Sequence, residues 1–486
     1  MSLQRFAIMN NLWYTFIINK KGLNAMKFRK LALILAMLLG VTACAGEMPE
    51  LIDFLGVVDD SVTFDGMTFR IFKEGVESGN FDLSVEKEKG YYLSARDEMY
   101  LARVAEIEEK YNCNIESSYG DVADMTGAYA ANIPVADIFE CRLKHYFNVY
   151  KAGYVLPLND IPNVDTSDGK YGSEAFLEAF TWNGDIVATY GQYWGFSPLG
   201  FTNALYYNPE IFIMINEPNP AELYEAGEWT WDSFERIAEA CASISTEDKP
   251  VNVSVHSQYF PRMLFLSNGC NYIEEDENGK FYYGLTTPAA IESLNFSAEF
   301  GQKGYLAKDP GDHTTIIENF AAGEYAVVCE VSGYGVRTGH LATEMENGLG
   351  YMYAPVGPSG TEEDVTRGLM SQDNSIWSII REKTEDIESL GNFLELFYSP
   401  LSDEEDPMDW LEEYKTFNFF DDTSANVFVT QSTNIAFDKV AFYDYGSYQI
   451  FDTIHAASKS GAVVETLQRL ETSVNTILDS SINAGK

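Results

Sequence analysis

Basic residues are scarce. The 486-residue chain has 32 Lys+Arg against 74 Asp+Glu, a formal net charge of −42. A surface this acidic repels phosphate backbones and anionic lipid, which excludes nucleic-acid binding as a function. Histidine numbers only five, at His145, His256, His313, His340 and His455. They form no H-E-x-x-H and no pair four residues apart, so the spacing of a zinc enzyme is missing. No G-x-x-x-x-G-K-[ST] and no G-x-G-x-x-G after a strand occurs, which removes the common nucleotide-binding loops. No cofactor is implied. Cysteine numbers six, without a C-x-x-C; beyond Cys44 the odd five, at 113, 141, 241, 270 and 329, cannot all pair within one chain. They read as buried thiols, with one disulfide as the alternative.

Motifs that could suggest chemistry fail on detail. The nearest approach to a nucleophile elbow, Gly195-Phe196-Ser197-Pro198-Leu199-Gly200, has one residue too many, and Pro198 lacks the N–H an oxyanion would need. The acidic run Glu274 to Gly279 lacks the alternating ligands of a calcium loop, and Asn278-Gly279 reads as a hairpin turn. Carboxylates are too numerous for any one pair to be picked out as glycosidase-like by counting.

What is present is a globular mixture, 46% hydrophobic and 22% charged, at a length suited to two or three domains. Aromatics are plentiful, with 7 Trp, 30 Tyr and 31 Phe, and serve equally for core and for stacking on sugar rings. Near the N-terminus, Lys27, Arg29 and Lys30 precede the apolar run Leu31 to Leu39. That run is too short to span roughly 30 Å of hydrocarbon as a helix, and it reads as a secretory leader. Val41-Thr42-Ala43-Cys44 resembles a bacterial lipobox, with Cys44 as the lipid-attachment residue. Residues 1–43 are the expected leader, with translation read as starting at Met26, and 44–64 an acidic tether.

Beyond the tether, short strand patterns alternate with amphipathic helices. Thr68 to Phe72 and Ala136 to Phe139 read as strands, as does Gly153 to Leu158, and Val104, Ile107 and Tyr111 form a helical stripe. Strand, helix, strand at this spacing predicts a parallel sheet with right-handed crossovers. Later, Thr230 and Thr287-Pro288 read as helix starts, Gly323 as a helix stop and Ala326 to Cys329 as a buried strand. Stripes at Ile387, Leu390, Leu394 and Phe397, and at Val463, Leu467, Leu470, Val474 and Ile477, mark two more helices.

Several ordered segments resemble the extracellular solute-binding proteins of family 1, the group of maltose-binding protein. They are Val135-Ala136-Asp137-Ile138-Phe139 followed by Gly153 to Asp160, then Asn183 to Ala188, Ala204 to Glu210, Trp229 to Phe234, and Phe320 to Val327. Asp185 and Glu324 stand where that family usually has lysine, and Asp403 to Tyr448 resembles nothing in it. The resemblance implies an α/β, two-lobed periplasmic-binding-protein-like fold (type II). It places lobe one at 65–200 plus 326–372 and lobe two at 201–325 plus 373–486. It also implies an extracytoplasmic, non-enzymatic monomer that binds a small molecule, a carbohydrate first, between its lobes and hands it to ABC permease subunits. A peptide, a polyamine or another cation suits an acidic cleft as well. A same-fold sensor lipoprotein and a cell-surface glycoside hydrolase are the rival readings.

On that resemblance the ligand-binding candidates are Trp194 and Tyr193 at the first crossover and Tyr334 after the Val331-Ser332-Gly333 turn. Arg142 at a strand end, Asn203 at the cleft floor and Asp373 at the last crossover complete the set. Aromatic faces would stack on a sugar ring, and amide, guanidinium and carboxylate groups would take its hydroxyls. Replacing Cys44 with Ala is expected to move the protein from the membrane fraction to the soluble one. Full retention on membranes would remove the lipid anchor.

Overall fold

A computed structural model describes residues 61–75, 95–167, 169–182, 184–190, 200–332, 345, 348–371, 374–380, 386–400, 415, 419, 421–436, 447–480 and 483. The chain enters with β1 (Met67–Glu74), α1 (Ala95–Tyr111), β2 (Cys113–Gly120), α2 (Val122–Ala130), β3 (Ile138–Arg142) and α3 (Leu143–Lys151). β1 pairs in parallel with both β2 and β3, as the strand–helix–strand spacing requires. β2 escapes a hydrophobicity scan because only Cys113 in it is buried. It is an edge strand, where one polar face is tolerated. Gly153 to Leu158 does not form the expected strand; only Val155 bridges, to Ile380.

The chain then builds β4 (Ala204–Tyr207), α4 (Trp231–Ile244), α5 (Tyr259–Ser267), β5 (Ile273–Glu275), β6 (Phe281–Tyr283), α6 (Pro288–Gln302), α7 (His313–Ala321), β7 (Val327–Glu330) and β8 (Gly350–Met352). Capping explains the helix starts. Thr230 forms a capping box with Ser233, and the Thr287 hydroxyl accepts from the Ala290 amide, ahead of a proline at the first helical position. Between β5 and β6 the Asp276 carboxylate accepts from the Asn278 and Lys280 amides, while Gly279 takes φ +75°. Asn278-Gly279 is thus the turn of an antiparallel hairpin.

β7 and β8 both pair antiparallel to β4, making a second, three-stranded sheet. The expected return of the chain to the first sheet near Ala326 is therefore corrected. An apolar strand reads the same in either sheet, and only tertiary pairing assigns it. The return comes later. After β9 (Gly368–Leu369), β10 (Ser375–Ile379) joins the first sheet antiparallel to β3, giving the order β10-β3-β1-β2. α8 (Ile387–Phe397) then buries Leu390, Phe393, Leu394 and Phe397 with Phe64, Phe69, Ile107, Tyr111 and Trp377 of that sheet's core. The Phe69 and Phe393 rings stack at 3.9 Å. Residues 375–397 thus sit on the first sheet and 326–352 on the second, the reverse of the division read from sequence.

The chain goes on with α9 (Asp422–Thr433), β11 (Ile435–Ala436), paired with β9, then α10 (Ser447–Ser460) and α11 (Val463–Ser480). α11 packs on β6 and α6, as its apolar stripe implied. All five described cysteines are buried free thiols. Burial pushes Cys113 up to about 11 and Cys241 and Cys270 up to about 12, so they are protonated at neutral pH.

Helix α8 approaches the Ile161-Pro162 segment so closely that a Cβ on Gly391 would lie 1.8 Å from the Pro162 carbonyl oxygen. Gly391→Ala is expected to cost about 1–3 kcal/mol by overpacking. Urea unfolding should show a lower midpoint at unchanged m-value. An unchanged midpoint would mean that the helix shifts freely.

Candidate functional site

Side-chain-to-backbone hydrogen bonds draw three stretches of chain together between the two sheets. The Asn374 amide holds Gly200 from both sides, accepting from its N–H at 2.8 Å and donating to its carbonyl at 2.7 Å. Asn203 does the same for the segment before β10, donating to the Arg367 carbonyl and accepting from the Leu369 amide, both at 2.8 Å. Phe201 and Ser332 exchange two bonds, and the Tyr206 hydroxyl donates to the Ser332 carbonyl. The Leu143 amide ties the end of β3 to the Asn374 carbonyl.

This junction faces the carboxyl ends of β1 and β3, the edge at which open α/β sheets place ligands. Glu74, at the end of β1, accepts from the Arg142 backbone N–H at 2.9 Å and lies 2.8 Å from His145 Nδ1. One residue further in, Lys73, Glu140 and Trp377 form a row across the sheet. Glu140 is buried, and one carboxyl oxygen, Oε2, has no hydrogen-bond partner. Burial raises its pKa, partly offset by Lys73 and by Ser375.

From the second sheet, Glu330 ends β7 fully buried, its Oε2 3.0 Å from His313 Nδ1 at the start of α7. Burial pushes the Glu330 carboxyl up, and His313 counters it. The hydrogen bond to Glu330 in turn holds His313 above the ordinary imidazole range. The Tyr259 ring lies 5.6 Å from His313, and the Arg262 guanidinium sits 5.2 Å over Tyr259. Arg262 also lines a cavity of about 380 Å³, together with Leu266, Tyr272, Ile273, Glu274, Arg367, Leu369 and Ile435. That volume falls in the range of small-molecule sites.

Arg142 sits at the predicted strand end, half-exposed, its Nε 3.8 Å from Glu74. Asn203 is fully buried, and its amide is spent on the 367–369 backbone, so it acts as a clamp in this state. Tyr193, Trp194, Tyr334 and Asp373 lie outside the described residues, as does Cys44. Gly200, Ser332 and Asn374, described residues nearest those segments in sequence, stand at the junction. The sequence reading missed Tyr259, Arg262, His313 and Glu330. The one available signal was a carboxylate, Glu330, closing the apolar run Ala326 to Cys329.

No family profile matches the sequence, and no curated protein matches it. Solved structures do match. Their shared class is the two-lobed periplasmic-binding-protein-like fold, and this chain has that fold over most of its length. The GacH receptor of Streptomyces glaucescens, solved unliganded and with acarbose, aligns at TM-score 0.56 and 14% identity, over 85% of this chain and 99% of its own. The galacto-N-biose-/lacto-N-biose I-binding protein of the ABC transporter from Bifidobacterium longum aligns at 0.55 and 11%, over 86% and 98%. UgpB from Mycobacterium tuberculosis, in complex with glycerophosphocholine, aligns at 0.53 and 17%, over 79% and 96%.

The clamp makes a discriminating variant possible. Asn203→Ala strips partners from two buried backbone groups and is expected to cost about 2–4 kcal/mol without any ligand present. Chemical denaturation of the ligand-free protein reads this directly. Unchanged stability would remove the clamp role.

Proposed function

We propose that this chain is the solute receptor of an ABC importer, held outside the cytoplasmic membrane, and that its solute is a carbohydrate. The observation that carries this reading is the junction itself. Two sheets meet at side-by-side crossovers, one apolar cluster holds both Phe139 of β3 and Leu369 of β9, and both sheets present polar and ionisable side chains there. That arrangement suits hinge closure on a solute, in which the ligand favours the closed state by its contacts with both lobes. Strand pairing supports a first lobe built on β1, β2, β3 and β10 and a second built on β4, β7 and β8.

Two of the similar structures are named for oligosaccharide-type ligands and one of those for its ABC transporter, which supports both halves of the proposal. The glycerophosphocholine complex of a third keeps a phosphodiester solute as the second reading, and the two arginines lining the cavity favour it. Chemistry is not needed for either role. Among the described residues no helix is long and apolar enough to cross a membrane, so attachment would rest on lipid at Cys44.

Thermal melting against acarbose, maltotetraose, lacto-N-biose, glycerophosphocholine, spermidine and a tetrapeptide tests the reading. A solute at 100 times its Kd stabilises by about 2.7 kcal/mol, a visible rise in Tm. A rise with one of the sugars is expected. A rise with glycerophosphocholine, spermidine or peptide alone keeps the receptor and replaces the sugar, and no rise from any of them removes both.

A further inference from the structure

The second sheet's body carries a pair of histidines that the solute site does not use. His256 follows the short strand Ser254–Val255 and is buried, and His455 lies on α10 with its ring 5.5 Å away. His455 Nε2 donates to the His256 backbone carbonyl at 2.6 Å. His256 Nε2 lies 2.9 Å from the hydroxyl of Ser458, one helical turn further along α10, and 3.5 Å from that of Ser297 on α6. Ser458 gives its own hydrogen to the His455 carbonyl, so its oxygen must accept from His256. The proton of neutral His256 is thereby fixed on Nε2.

His256 Nδ1 is then the basic nitrogen, and it faces Gly301 of α6, where a Cβ would meet it at 3.3 Å. A second proton there would put a positive charge beside α6, with the His455 ring 5.5 Å away. The charges around it add to the penalty. His455 and Lys459 of α10 disfavour a cation at His256, and among the described residues Asp309, from the loop after residue 307, favours one. His455 feels the same Lys459 and Asp309, together with Asp452 on its own helix. Asp309 is shared, since Lys459 already lies 3.9 Å from it. The other described residues in contact with His256, Ser297 and Gly301 of α6 and Phe260 of α5, are neutral.

We propose that the His256–His455 contact is an acid-operated latch, holding α10 against the turn after Ser254–Val255 while both imidazoles are neutral and letting it go as they gain protons. The direction agrees with the local electrostatics. Burial first, then the neighbouring cations, lowers His256 from 6.5 to about 4, and burial lowers His455 as well. For a base depressed in the folded state, docking is fully stable above about pH 6.5 and weakens as pH falls toward 4. His256 also stands three residues before Tyr259. Release would therefore loosen the loop leading into the Tyr259–Arg262 wall. That last consequence rests on the receptor reading, whereas the latch does not.

Hydrogen–deuterium exchange of the full chain at pH 7 and pH 5, corrected for the intrinsic exchange rate, tests the latch without any ligand. Protection of α10 is expected to fall on the order of ten-fold at pH 5, with α4 as an unaffected internal reference. His256→Gln, which keeps a donor near Ser458 and cannot titrate, should flatten that dependence. An equal fall in the variant, an equal fall in α4, or no fall in α10 would each overturn the latch. Should the variant fail to fold, NMR titration of the wild-type imidazoles decides. A His256 midpoint well below 6 supports the latch, and one at the ordinary value overturns it.

Discussion

Two asparagine side chains, Asn203 and Asn374, replace the backbone pairing that the chain gives up where it passes between its sheets. Each amide offers one donor and one acceptor, and each spends both on main-chain groups of a different crossover. Continuous strands there would fuse the two sheets into one, and unpaired backbone would incur the desolvation penalty of a buried polar group. Side-chain amides satisfy the backbone while leaving a few torsions as the connection. Through Asn374, Gly200 and Ser332 this arrangement links the end of β3 to the segment after β7.

The same junction shows how so acidic a chain manages charge. The acids there are not simply solvated. Glu74 is tied to Arg142 and His145, and Glu330 is buried against His313. Burial pushes the Glu330 carboxyl up, and the His313 imidazole beside it partly offsets that rise at the mouth of the second sheet. Away from the site, Lys170 and Glu395 form a buried pair, the carboxylate also taking a hydrogen bond from Tyr171. That pair joins the 165–171 loop to α8, which is part of the reason α8 belongs with the first sheet.

Local signals carried much of the fold. Thr230 and Thr287 start helices because a hydroxyl at that place satisfies an otherwise orphaned amide, and Asn278-Gly279 turns because Gly279 accepts a positive φ. The stripes at 387–397 and 463–477 are largely buried, although Ile387, Leu470 and Ile477 are only half-buried and Leu478 is covered in place of Ile477. Segments whose signal is weak were misread for equally physical reasons. β2 is polar because it is an edge strand, and Gly153 to Leu158 has apolar residues without strand partners.

The sequence by itself determined the excess of acidic residues, the alternation of strands and helices, and the parallel start of the first sheet. All of these follow from composition or from neighbours within a few residues. Tertiary structure alone decided which sheet receives Val327–Glu330 and which receives Ser375–Ile379, because an apolar strand carries no label for its partner. It also turned Asn203 from a ligand candidate into a clamp, and gathered Tyr259, Arg262, His313 and Glu330 from widely separated stretches of chain. Such a grouping depends on distances in space, and spacing along the chain holds no record of them.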